Sequence, residues 1–170
     1  MEKKTMLGVR VYAYAEQYGI QKVVVHKIIN SYIDYCKERL LNGVRINFLG
    51  LCSLIPDYEV DSFNSTLAYD CKVLSDILGI PANTVYVIIN EYLSSIRDEV
   101  LDGKSASIRG IVTLKPIETN GIINKVHSSI SLSFKDLLSQ RDTKVTGIRV
   151  HTSKILKYNV KENIAQWRNI

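Results

Sequence analysis

The most reactive side chains of this sequence are three cysteines, Cys36, Cys52 and Cys71, and three histidines, His26, His127 and His151. Thiolates and imidazoles do nucleophilic, metal or acid–base work when their spacing brings them together. Here it does not. The cysteines are scattered and odd in number, with no C-x-x-C pair, so buried reduced thiols are expected rather than a disulfide framework or a zinc knuckle. The histidines share no metal-ligand spacing. Cys36 and Cys52 are formal nucleophile candidates, but both lie among apolar residues, where a thiol is usually inert packing. Gly8, Gly19 and Gly43 are isolated, so no glycine-rich phosphate loop is present, and neither Gly-x-Ser-x-Gly nor His-Glu-x-x-His occurs. The expectation is a protein that is not an enzyme, with no cofactor, no metal and no small-molecule substrate.

Charge is the next source of chemistry. The net charge is +5, but it is unevenly spread. Residues 142–170 hold six Lys/Arg and two Asp/Glu, while residues 1–141 hold sixteen and fifteen. Phosphate neutralisation supplies most of the affinity of a duplex-binding protein, so a neutral body argues against one unless folding clusters its cations. The tail offers two kinds of contact. Lys154, Lys157, Lys161 and Arg168 are candidate phosphate contacts. Ile155, Leu156, Tyr158 and Trp167, the single tryptophan, are candidate protein-interface residues. A solvated basic tail is the plain alternative. Most of the ten tyrosines stand at helical spacing, as Tyr14 with Tyr18, which favours core edges or interfaces over base stacking. No run of about 18 apolar residues is present, and the first residues lack the apolar stretch of a secretion signal, so folding in a cytoplasm without membrane association is expected.

The elements that would position these residues are announced by an internal repeat. Aligned at an offset of sixty residues, 19–56 and 79–116 share 12 identities over 38 positions with no gap. Gly19-Ile20 returns as Gly79-Ile80, Ile28-Ile29-Asn30 as Ile88-Ile89-Asn90, Tyr32 as Tyr92, and Gly50, Leu54 and Pro56 as Gly110, Leu114 and Pro116. Each copy predicts a first helix, about Met6 to Tyr18 and Thr66 to Leu78, ended by Gly19 or Gly79. A second helix follows, with Val25, Ile28, Ile29, Tyr32, Ile33, Cys36 and Leu40 forming one apolar stripe, and Val85 through Val100 the other. Asn83 is a candidate N-cap for the later helix. Gly43 and Gly103 end these helices, and alternation then predicts a strand in each copy, from Ile46 and from Ala106. Asn120-Gly121 between apolar alternations predicts a tight hairpin returning along Ile122 to Ile130, and a third helix is expected over Leu132 to Leu138. Residues 145–150 suggest one more strand. Each stripe is broad for so small a unit, so the copies are expected to bury their stripes against each other or against another chain.

The run from Gly43 to Leu54 resembles the strand and loop that follow the helix pair in the HU/IHF family of DNA-bending proteins, and Gly103 to Leu114 is a weaker second version. The resemblance covers most of 5–56 and 65–140. It implies an α+β fold of two tandem HU/IHF-like units, each a helical hairpin followed by a small antiparallel sheet, with units at 1–62 and 63–141 and a basic extension at 142–170. The family's second loop glycine is replaced by Cys52 and Val112. Its DNA-gripping arm, tipped by Arg-Asn-Pro, is absent from both copies: acidic Asp57-Tyr58-Glu59-Val60-Asp61 follows Pro56, and a short hairpin follows Pro116.

A scaffold kept without its arms is similar to the duplicated IHF-like virion proteins of crAss-like tailed bacteriophages. That similarity implies a structural or assembly protein, a neck or tail ring component. It would be located in the virion after synthesis in the host cytoplasm, with copies of itself and other virion proteins as partners and nucleic acid secondary. The alternative is a single-chain HU/IHF-like DNA-binding or DNA-bending protein of the cytoplasm or nucleoid.

Overall fold

The computed structural model describes residues 6–48, 50–60, 66–119 and 122–153. Among the described residues, five helices and six strands follow in order: α1 (Met6–Gln17), α2 (Lys22–Leu41), β1 (Ile46–Phe48), β2 (Cys52–Pro56), α3 (Leu67–Leu78), α4 (Ala82–Leu101), β3 (Ala106–Ile108), β4 (Val112–Thr119), β5 (Ile122–Ile130), α5 (Leu132–Gln140) and β6 (Ile148–Thr152). The class is α+β, with two antiparallel three-stranded sheets in the orders β1-β2-β6 and β3-β4-β5.

The duplication extends to individual backbone hydrogen bonds. After α2, Gly43 N–H donates to Leu40 and Val44 N–H to Arg39, at 3.0 and 2.9 Å; after α4, Gly103 donates to Val100 and Lys104 to Glu99, at 3.1 and 3.0 Å. These bonds satisfy the last helical carbonyls, and they form because Gly43 and Gly103 take φ of 81° and 87°. The α3–α4 turn is closed by Gly79 at φ 68°, whose N–H donates to Ser75. At the start of α3, the Thr66 side chain accepts the Tyr69 N–H at 3.2 Å. Asn83 does not cap α4: the helix begins one residue after Pro81, which stands at the cap position, and Asn83 falls in the first turn. Proline lacks a donor and its fixed φ leads the chain into the helix, so it starts the turn earlier than an asparagine cap would.

The two copies share one hydrophobic core. Val25, Ile28, Tyr32, Cys36 and Leu40 of α2 are buried together with Val85, Ile88, Ile89, Ile96 and Val100 of α4. Helix α4 is the common neighbour of α1, α2 and α3. Arg10 on α1 reaches across to Glu91 at 2.7 Å and to Asp98, both on α4, and the Tyr35 hydroxyl on α2 donates to the buried Asp70 of α3 at 2.8 Å. The repeats thus pair within one chain, covering stripes that neither could bury alone.

The third strand of the first sheet comes from a distant part of the sequence. Strand β6 pairs with β2, setting Thr152 opposite Cys52, Val150 opposite Leu54 and Ile148 opposite Pro56. In the second sheet β5 sets Ile130 opposite Val112, Ser128 opposite Leu114 and Val126 opposite Pro116. Strands β2 and β4 differ by the repeat offset of 60, while β5 and β6 differ by 22, and every partner corresponds. Between Pro56 and Ile148, where β2 would otherwise turn directly into its partner, the whole second unit is inserted. The stretch expected as an extension therefore supplies β6, and Val145 ahead of it is buried in the core.

Candidate functional site

Directly opposed residues of an antiparallel pair point to the same sheet face, so the registers define what each sheet presents to solvent. On the first sheet, Asn47, Ser53 and His151 lie abreast, with Ile55 beside Arg149. On the second, Ser107, Thr113 and Ser129 lie abreast, Lys115 faces His127, and Ile117 faces Lys125. The opposite faces carry Ile46, Phe48, Cys52, Leu54, Ile108, Val112 and Leu114, all buried. Strand β5 runs close to β6, bringing the inner edges of the two sheets together.

The outward faces are polar and basic. Lys115, Lys125, His127, Arg149 and His151 are exposed, with Ile55 and Ile117 half-buried beside them. The neutral body thus has a cationic surface that its total charge conceals. Alternation along Lys125, His127 and Ser129 and along Arg149 and His151 is visible in the sequence. The pairing of β6 with β2, which brings Arg149 into this surface, is not, because 91 residues separate Pro56 from its partner Ile148.

At one end of each sheet the chain turns over the other unit. Gly50 and Gly110 have φ of 78° and 75°. A Cβ at Gly50 would lie 3.6 Å from Arg97 Nη1, and one at Gly110 would lie 2.9 Å from Lys37 Nζ. Arg97 and Lys37 are themselves repeat equivalents, so the contacts are reciprocal. The second turn is tied further: the Arg109 N–H donates to the Tyr92 hydroxyl at 3.3 Å, and the Arg109 guanidinium donates to Asn30 on α2. A groove beside this turn is lined by hydroxyls of Ser107, Thr113 and Ser129 together with Arg109.

The cysteines offer no activated nucleophile. Burial pushes all three thiols up: Cys71 to about 11, Cys52 to about 12 and Cys36 higher still. They are free thiols, protonated at neutral pH. Among the described residues no group of three or more His, Cys, Asp or Glu could hold a metal ion, and no helix is long and apolar enough to cross a membrane. Tyr32 and Tyr92 are buried, whereas Tyr14 and Tyr18 stack near the α1–α2 turn with ring centroids 4.9 Å apart. The tail residues singled out from the sequence, Ile155, Leu156, Tyr158 and Trp167 and the cations Lys154, Lys157, Lys161 and Arg168, lie outside the described residues.

Comparison with protein-family models, with curated proteins and with solved structures finds no match to this chain.

Proposed function

We propose that this chain is a structural building block, an assembly protein of a tailed-bacteriophage virion of the neck or tail ring kind, made from two HU/IHF-like units fused into a single-chain pair. The observation that carries the reading is the use made of the two positions from which arms would extend. In the first unit that position holds the second unit, between Pro56 and Ile148. In the second, the strands remain paired as far as Thr119 and Ile122, leaving two residues between them. Neither site has room for a long arm that inserts a proline between base steps. What is left is a rigid body with a shared core, suited to repeated packing against copies of itself and other virion proteins.

The alternative, a single-chain DNA-binding protein, is favoured by the cationic sheet surface carrying Lys115, Lys125 and Arg149. Gel shifts on duplex DNA at several salt concentrations separate the two. The structural reading expects dissociation constants weaker than about 1 μM near physiological salt, as for non-specific binding. Nanomolar binding with a steep salt slope, lost in a Lys115→Glu, Lys125→Glu, Arg149→Glu triple variant, would overturn it. Imaging of the native particle then tests for a ring directly.

A further inference from the structure

The groove beside the Gly110 turn is built from hydrogen-bond donors, and one of them is buried and unused. Tyr92 lines the groove although the residue is only 6% exposed. Its hydroxyl accepts the Arg109 N–H, and its own proton has no acceptor among the described residues. A buried donor without an acceptor is costly, so a ligand that supplies one is favoured there. The first unit shows what is missing. There the equivalent Tyr32 has the Cys36 thiol as the partner of its hydroxyl. In the second unit Ile96 takes the place of that thiol and offers nothing.

Cations flank the same point. A Cβ at Gly110 would lie 2.9 Å from Lys37 Nζ and 4.0 Å from Ser133 Oγ, so the ammonium and the hydroxyl border one small space. Neither Lys37 nor Arg109 forms an ion pair among the described residues. The Arg109 guanidinium reaches Asn30 through Nη2, which leaves its other nitrogens for a ligand. The Ser131 and Ser133 hydroxyls bond each other at 2.8 Å, as do those of Ser107 and Thr113, and each pair keeps one proton to donate outward. Glu99 is the one carboxylate of the lining among the described residues. It stands about 10 Å further along α4 than Tyr92, away from the Gly110 turn.

The matching ligand is negative and rich in acceptors. A tetrahedral oxyanion takes donors from several directions at once, as the turn, α4 and the start of α5 provide here. We propose that this groove binds a phosphate group, with Arg109 and Lys37 countering its charge and Tyr92, Ser131 and Ser133 donating to its oxygens. The site belongs to the second unit alone and stands whether or not the chain builds a ring. A free phosphate compound and a nucleic-acid backbone both carry this group.

Titration of the intact chain with inorganic phosphate, at an ionic strength held constant with chloride, tests the proposal. The backbone amide signals of Arg109, Gly110 and Ser133 are expected to shift and saturate, with a dissociation constant of roughly 1–10 mM. Tyr92→Phe should weaken phosphate binding by about fivefold and Arg109→Gln by at least roughly tenfold. Tyr32→Phe, the same change at the equivalent place in the first unit, should leave it within about twofold, which separates loss of a ligand contact from loss of stability. Shifts that grow linearly without saturating, or equal losses in Tyr92→Phe and Tyr32→Phe, would overturn the proposal. Lys37→Gln breaks no hydrogen bond among the described residues and provides the same contrast should Arg109→Gln fail to fold. Two competitors then identify the source. Displacement of phosphate by a short DNA duplex, but not by thymidine monophosphate, assigns the site to a nucleic-acid backbone. The reverse assigns it to a free phosphate compound, and displacement by neither assigns it to inorganic phosphate itself.

Discussion

Ser153 donates its backbone N–H to Leu51 at 2.8 Å, although 101 residues separate them, and the bond matches that of Ser131 to Ile111. The first unit is therefore closed by the last described residues of the chain and encloses the second unit in sequence. Its β1–β2 pair is local, whereas the β2–β6 pairing is a long-range contact of the kind that slows folding. A linker over α2 prepares this closure: Arg141 bonds Glu38, and the Thr143 hydroxyl donates to the Leu41 carbonyl.

The junction of that linker with β6 depends on one carboxylate. Asp57 accepts the Thr146 N–H at 2.9 Å and also its hydroxyl, while the Asp57 N–H donates to Gly147 at 2.9 Å. The Thr146 hydrogen bonds hold the Asp57 carboxyl below its ordinary value of 3.8. The unfolded chain thus takes up the proton first as pH falls, so the contribution of Asp57 is complete above about pH 5 and declines below about 4. Asp57→Asn should flatten the acid side of the stability–pH curve and increase hydrogen exchange at β6. An unchanged acid limb would show that Asp57 does not anchor the strand.

Glycines at matching φ differ in what surrounds them. Gly19 and Gly79 have open space where a Cβ would be, so alanine costs about 1 kcal/mol in each case, from the left-handed backbone alone. At Gly43 a Cβ would stand 2.8 Å from the Tyr58 carbonyl oxygen and 3.1 Å from Val60 Cγ2. That carbonyl is held in place because the Val60 N–H donates back to Gly43 at 2.9 Å. Gly43→Ala should therefore cost roughly 2–4 kcal/mol. Urea melts of the three variants check the order, and equal losses would contradict it.

Arg10 joins α1 to α4 through Glu91 and Asp98. Its side chain is 43% exposed, which limits the value of the pair. Arg10→Ala should cost roughly 0.5–1 kcal/mol at low salt and less at 1 M salt. A double-mutant cycle with Glu91→Gln measures the coupling. A coupling that salt leaves unchanged would mean the loss comes from packing of the arginine stem.

The helices and the second hairpin were legible in the sequence because local rules govern them. Apolar spacing gave α2 and α4, glycine at a positive φ gave their ends, and the returning strand Ile122–Ile130 is bounded as its pattern suggests. Stripes too broad for one unit demanded a partner but left open whether it is the other copy or another chain, and the shared core of α2 and α4 answers that. Two features were not legible. A strand is expected over residues 145–150 and stands at Ile148–Thr152, but its partner lies far back in the chain, so no periodicity identifies which edge it joins. The cationic surface needs that pairing too, since Arg149 joins Lys115 and Lys125 only once both sheets exist. Asn83 shows a smaller limit: cap preference favoured it, and the proline two residues earlier decided the boundary.

The buried thiols provide the last prediction. Cys36 and Cys71 are about 0% and 1% exposed, and Cys52 is 2% exposed on β2 between Leu51 and Ser53. With their ionisation pushed up by burial, a thiol reagent at pH 8 meets neither an accessible sulfur nor a thiolate in the folded chain. Labelling should follow opening of the fold, with all three cysteines reacting at one rate that rises with denaturant as the stability falls. The same shifts set an alkaline limit. The unfolded chain ionises its thiols near 9 and the folded chain keeps Cys52 protonated to about 12, so stability is intact below about pH 8 and falls between 9 and 12. Replacing Cys52 with alanine or valine should remove part of that alkaline loss. Prompt labelling of one cysteine without denaturant would reveal a local opening at its element, and Cys52 is the informative case, because β2 can open only by releasing β6.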